Sequence, residues 1–214
     1  KVGFALGMEN GSPIEGQLEN LQHFYQRGVR YITLAHSLSN HIADSSYDKN
    51  RPNLGLSEFG EQVVREMNRL GIMVDISHLS DAAAYQAIVL SEAPVIASHS
   101  SVRRLVPGFE RNMEDQMIKL LAQRDGVIMI NFGSGFIAQQ SREWRNKMEL
   151  AYQQHRKQAG LPDTDEHYES FEREWMKDNP YDYANLEQVL DHFDHVTQLV
   201  GVEHVGLGSD YDGV

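Results

Sequence analysis

IMVDISHLSDAAAYQAIVLSEAPVIASHSS, the stretch from Ile72 to Ser101, alternates strand, helix and strand. Ile72 to Ser77 is a short apolar run that stops at His78. Ser80 is placed to cap a helix reaching about Ser91, and Pro94 breaks it. Val95 to Ser98 is a second apolar run, and it stops at His99. Short apolar runs alternating with helices predict βαβ units and a parallel sheet. In a closed parallel barrel the strand C-termini all lie on one rim, where chemistry is built. Two imidazoles delivered to adjacent strand ends of that rim read as a metal pair.

The same unit recurs outward in both directions. Val2 to Met8 is an apolar run ending at Glu9, Val29 to Ala35 ends at His36, Val127 runs to Asn131, and Val205 to Gly208 ends at Ser209 and Asp210. Between them, helices are predicted over Glu15 to Arg27, over Ser57 to Leu70 with Gly71 as its stop, from an Asn112 cap to Gly126, and over Asn185 to Val200. A polar loop from Ser37 to about Leu56 is long for a compact domain, and long loops are often functional. From about residue 140 to 183 the composition turns charged and aromatic, which reads as a helical insertion anchored by Trp144 and Trp175. It follows the strand ending at Phe132, so it is expected on the active rim as a candidate lid.

Six strands separated by helices predict a (β/α)8 TIM barrel with about six βα units present, truncated at both ends, the whole of residues 1–214 forming one domain. The rival is a doubly wound open sheet. No G-x-G-x-x-G follows any strand, which weakens the nucleotide-binding form of that rival. The chain starts inside one core strand and stops just after another, as expected for a segment of a longer protein.

Acidic residues outnumber basic ones 31 to 19, a net charge of −12, which argues against nucleic-acid or anionic-membrane partners. With no cysteine, disulfides and thiolate metal sites are excluded. No run of about 18 apolar residues suggests a transmembrane segment.

The strand ends, in order, are Glu9, His36, His78, His99, the pair Asn131 and Phe132, and Asp210. All but one can ligate a metal or move a proton. Imidazole and carboxylate are the usual zinc ligands where cysteine is missing. A carboxylate such as Glu9 can bridge two ions, which jointly activate a water. Blander readings attach to other residues. Asp75 and Ser77 are expected to orient or pack His78, and Arg111, taken alone, to pair with Glu114 or Asp115. His192, His195, Asp191 and Asp194 read as a solvated helix face, Asp212 as a turn residue, and His41 as a loop residue with a substrate role disfavoured.

The segments GMENG at Glu9, RYITLAH at His36, EMNRLGIMVDISH at His78, APVIASHSS at His99, ERNMED at Arg111 and VGLGSDYDGV at Asp210 resemble the membrane (renal-type) dipeptidase family, zinc peptidases of the amidohydrolase superfamily. The resemblance covers nearly the whole chain except the insertion. It implies a (β/α)8 barrel with two zinc ions and hydrolysis of a dipeptide by attack of a metal-bound hydroxide. Glu9 matches the bridging glutamate, and His78 and His99 match the histidines of the second zinc. His36 matches the histidine that polarises the scissile carbonyl. Arg111 matches the arginine that grips the substrate carboxylate. Asp210 matches the aspartate that handles the amino end and the proton. The residues leave the location open, the resemblance favouring a periplasmic or cell-envelope one, and a homodimer is compatible with it.

One departure stands out. The family's first zinc also needs an H-x-D pair on its first strand. The only H-x-D here, His192-Phe193-Asp194, lies in a helix, where residues two apart do not face one another. The true pair is expected before Lys1, or on a second polypeptide that supplies the missing strands. The alternatives to a dipeptidase are a related amidohydrolase acting on N-acyl amino acids and an inactive fragment.

Overall fold

The computed structural model describes residues 3–162, 164–211 and 213. Six strands, β1 (Leu6–Glu9), β2 (Val29–Thr33), β3 (Met73–Asp75), β4 (Ile96–Ser100), β5 (Val127–Ile130) and β6 (Val205–Leu207), form one sheet. Every neighbouring pair is parallel, and the strand order follows the chain, β1 to β6 without a reversal. A doubly wound sheet reverses its order at a switch point, whereas a barrel adds each strand beside the last. The order therefore decides for the barrel architecture. β1 and β6 do not pair with each other, so the sheet is open, and Leu6 and Leu207 are exposed at its two edges.

The connecting helices are α1 (Glu19–Gln26), α2 (Glu58–Leu70), α3 (Asp81–Leu90), α4 (Asp115–Gln123), α5 (Ser134–Ile137), α6 (Gln139–Ala159), α7 (Asp165–Asp178) and α8 (Leu186–Val200). They bury their apolar sides against the sheet, α2 with Val63, Val64 and Met67, and α4 with Met117, Ile118 and Leu121. Local signals set their ends. The Ser57 hydroxyl accepts the Gly60 N–H, Ser80 accepts from Ala83, and Asn185 forms a capping box with Gln188. Gly71 closes α2 at φ 79°, where a side chain would be strained.

Three expectations are corrected. The first helix starts at Glu19, not Glu15. Ser12–Ile14 forms a single 3₁₀ turn, and the left-handed residues Glu15 and Gly16 break the path between them. Asn112 does not cap α4. Its side chain is buried with its amide donating to the Phe136 carbonyl at 2.8 Å, and Glu114 takes the cap position without a side-chain capping bond, its carboxylate accepting from the Tyr85 hydroxyl instead. The histidines of α8 are not solvated. His192 is fully buried, and His195 bonds Asp115 of α4 at 2.8 Å, while Asp191 and Asp194 are exposed as expected. His192 lies one helical turn from buried Val196, so the inward face is turned toward it rather than centred on Phe193. Lys1, Val2 and Asp212 lie outside the described residues.

His192 earns its place by satisfying backbone. Its Nδ1 accepts the Val102 N–H at 3.0 Å, which requires Nε2 to carry the proton donated to the Ile137 carbonyl at 3.0 Å. Replacing it with leucine removes both bonds and is expected to cost about 2 kcal/mol, measured as a lower urea midpoint. Burial also pushes its pKa below 6.5. As pH falls below that value the unfolded chain takes up a proton that the folded chain resists, so stability declines. The loss should be shallower in His192→Leu.

Candidate metal centre

β1 ends on Glu9, and the three histidines converge on its carboxylate. Glu9 Oε1 lies 3.0 Å from His78 Nε2, 3.1 Å from His99 Nε2 and 3.7 Å from His36 Nε2. The Nε2 atoms of His78 and His99 are 2.9 Å apart. His36 stacks beside His78 with ring centroids 4.2 Å apart. Three ligand-type atoms at mutual separations of 2.9–3.1 Å suit one small cation with bonds of about 2.0–2.2 Å. Two imidazole nitrogens and a carboxylate oxygen are the donor set zinc takes without cysteine.

The backbone that delivers these groups is unusual. His99 lies within β4, but His78 stands three residues past β3 in a left-handed conformation, φ 70°. Asn10, next to Glu9, and Asp210 also have positive φ, 75° and 57°. Non-glycine residues held there mark functional turns more often than chance would give.

Protonation agrees with ligation. His78 is only 8 % exposed, and burial pulls its pKa down to about 4, so the ring is neutral and offers a lone pair at neutral pH. Glu9 is held well below the usual carboxylate range, chiefly by the hydrogen bonds from the His78 and His99 rings, and is ionised. Behind the cluster, Ser98 Oγ bonds His99 Nδ1 at 2.7 Å and donates to Asp75 at 2.6 Å. Asp75 thus orients the histidine carriers, as expected from its position. Outer partners of this kind fix the ring that binds the metal.

Arg111 and Asp210 stand apart from the four clustered side chains. Asp210 lines the same cleft, and its Oδ2 accepts from the Asn131 amide at 2.9 Å. Arg111 is buried, 3 % exposed, and does not pair with Glu114 or Asp115. Its Nη1 donates to Ser100 Oγ at 2.8 Å, while Nε and Nη2 have no hydrogen-bond partner. Burial disfavours its charge, and Asp75, Asp210 and Glu9 are among the groups nearby that favour it. His41 accepts the Gly16 N–H at 3.2 Å and stacks beside Phe59, a structural role.

The cleft holds about 960 Å³ and extends from Glu9, His36 and His78 to residues of α6 and α7. Tyr47, from the long polar loop, lines it and places its ring 6.0 Å from His78 and 6.3 Å from Phe109. Arg142 of α6 also lines it. Neither residue stood out in the sequence. Tyr47 sits in a loop without periodicity, and Arg142 is one of several charges on a polar helix.

The model of the family described as Membrane dipeptidase (Peptidase family M19) matches residues 1–214. An uncharacterized dipeptidase of Schizosaccharomyces pombe is 35 % identical over 216 residues, covering 100 % of this chain and 42 % of that protein. The crystal structure of the probable dipeptidase PvdM from Pseudomonas aeruginosa superimposes with a TM-score of 0.81 at 28 % identity, over 97 % of this chain and 57 % of that one. A metallo peptidase from Rhodobacter sphaeroides, liganded with a phosphinate mimic of the dipeptide L-Ala-D-Ala, gives 0.73 at 26 % identity, over 98 % and 50 %. The chain thus spans about half the length of the relatives it matches, or less. A match along its entire length, with a singly wound parallel sheet and a donor cluster at the strand ends, establishes that the chain belongs to the membrane dipeptidase family of metallopeptidases.

Proposed function

We propose that the intact protein is a zinc-dependent dipeptidase, with Glu9, His78 and His99 as zinc ligands. The convergence of these three groups within 3.1 Å of one another carries the reading. Zinc held there would supply Lewis acidity toward the scissile carbonyl and would ease deprotonation of the attacking water. Glu9, whose Oε1 faces all three imidazoles, would be the residue to help hold a second ion. The H-x-D of α8 takes no part, since His192 is committed to two backbone groups.

The chain's own side chains divide the remaining work. His36 is half-exposed beside the cluster, where its Nε2–H can meet the oxygen that gains charge as the amide is attacked. Arg111 keeps two unpaired N–H groups, a fork suited to the C-terminal carboxylate of a dipeptide. Asp210 faces the cleft as a carboxylate able to hold the free amine and to pass a proton to the leaving nitrogen. A panel of dipeptides and their N-acetylated counterparts tests this on the intact protein. Dipeptides should be cleaved and N-acetylated ones rejected, with zinc copurifying. Equal cleavage of both would instead favour an amidohydrolase that ignores the amine.

A further inference from the structure

The cleft has a second charged feature far from balance. Arg142 and Arg145, one turn apart on α6, both line it. Among the described residues no carboxylate lies within 4 Å of either guanidinium. Two other arginines are paired with carboxylates, whereas buried Arg111 is not. Arg51 holds Glu110 through two bonds, at 2.9 and 2.5 Å, and Arg103 holds Asp81 through two, at 2.7 and 2.5 Å. Glu172 lines the same cleft without pairing with them.

Arg142 is held in place by rings rather than by charge. Its guanidinium carbon sits 3.9 Å from the Phe109 ring centroid. Phe109 packs on Phe136 at 5.3 Å and beside Tyr47, whose ring reaches His78. A chain of ring contacts therefore ties Arg142 to the metal cluster. The groups that act on its charge are the Tyr47 and Tyr181 hydroxyls, which favour it, and Arg145, which opposes it as burial does. A half-buried cation with no counter-ion and a second cation beside it is costly unless an anion completes it.

We propose that Arg142, assisted by Arg145, is an anion subsite on the α6 wall of the cleft, which selects dipeptides carrying a side-chain carboxylate. This rests on the dipeptidase reading for its choice of ligand. The planar fork of Arg142 can donate two parallel hydrogen bonds to a carboxylate, and its face is already stacked on Phe109. Glutamine offers the same shape without the charge, so Glu against Gln isolates the contribution.

The test measures kcat/KM for Ala-Glu, Glu-Ala, Ala-Gln and Gln-Ala with the intact, metal-loaded protein and its Arg142→Gln variant. Isothermal titration of the same four peptides into metal-free protein runs alongside. In at least one order the Glu peptide should be preferred by about tenfold, with the ratio falling toward one in Arg142→Gln and only partly in Arg142→Lys. Added salt should also shrink the wild-type ratio. A wild-type ratio of one in both orders, or a preference that Arg142→Gln leaves intact, overturns the subsite. If none of the four is hydrolysed but Ala-Glu or Glu-Ala binds more tightly through Arg142, the dipeptidase reading fails and the subsite stands. If all are hydrolysed alike, the reverse holds. Should Arg142→Gln not fold, the wild-type ratio and its salt dependence decide.

Discussion

Substituting His78 or His99 with alanine in the intact protein should lower kcat/KM by about a thousandfold or more, with a matching fall in bound zinc. Each removes one of three donor atoms that lie within 3.1 Å of one another. His36 is the imidazole left to stand in, but its Nε2 is farther off, 3.7 Å from Glu9 Oε1, so the remaining site is weaker and loss of metal and loss of rate should go together. Losing several kcal/mol of charge stabilisation in the transition state corresponds to that factor. The His78 ring contributes across the neutral range, because its pKa of about 4 leaves it unprotonated there. His41→Ala is the control. Its ring accepts only a loop N–H, from Gly16, and its removal should change kcat/KM less than twofold. Full zinc content and retained hydrolysis in either His78→Ala or His99→Ala would refute the ligand assignment.

The legible part of this site was carried by strand ends. Short apolar runs with abrupt polar stops mark where a parallel strand leaves the sheet, and Glu9, His36, His78 and His99 stand at or just past such stops. Parallel neighbours in consecutive order then bring those stops together, which a pattern of periods can foretell. Residues reached by side-chain length rather than by strand position were hidden. Arg111 follows an irregular loop, and nothing local distinguishes pairing with Glu114 from burial against Ser100. His192 sits in a helix whose apolar and polar positions interleave, and its inward direction follows from two distant backbone groups, at Val102 and Ile137. Tyr47 and Arg142 meet through Phe109, from three segments that no sequence period relates. The start of α1 differs from its sequence pattern for a simpler reason: two successive left-handed residues, Glu15 and Gly16, interrupt an otherwise helical stretch of polar and apolar positions.

Asp75 should prove the most costly residue to remove from the body of the protein. It is fully buried, and its carboxylate accepts four hydrogen bonds. Oδ2 takes the hydroxyls of Thr33 at 2.5 Å and Ser98 at 2.6 Å, and Oδ1 takes the N–H groups of Ser77 at 3.0 Å and Ser98 at 2.9 Å. These partners belong to β2, to β4 and to the turn that carries His78, so one side chain fastens three segments of the rim. Asp75→Ala leaves four donors facing a void and should destabilise by about 3–5 kcal/mol, read from urea denaturation. Asp75→Asn keeps the shape. Its amide oxygen can still accept the two N–H groups, and its NH₂ meets two hydroxyls that can rotate to accept. The loss should then be about 1–2 kcal/mol, with zinc affinity reduced by about tenfold to a hundredfold, because Ser98 no longer holds His99 as firmly. The two variants separate shape from charge. If Asn destabilises as much as Ala, the carboxylate is needed for its charge beside Arg111. If Ala costs less than about 1 kcal/mol, Asp75 does not fasten the rim, and the histidines are positioned by their strands alone.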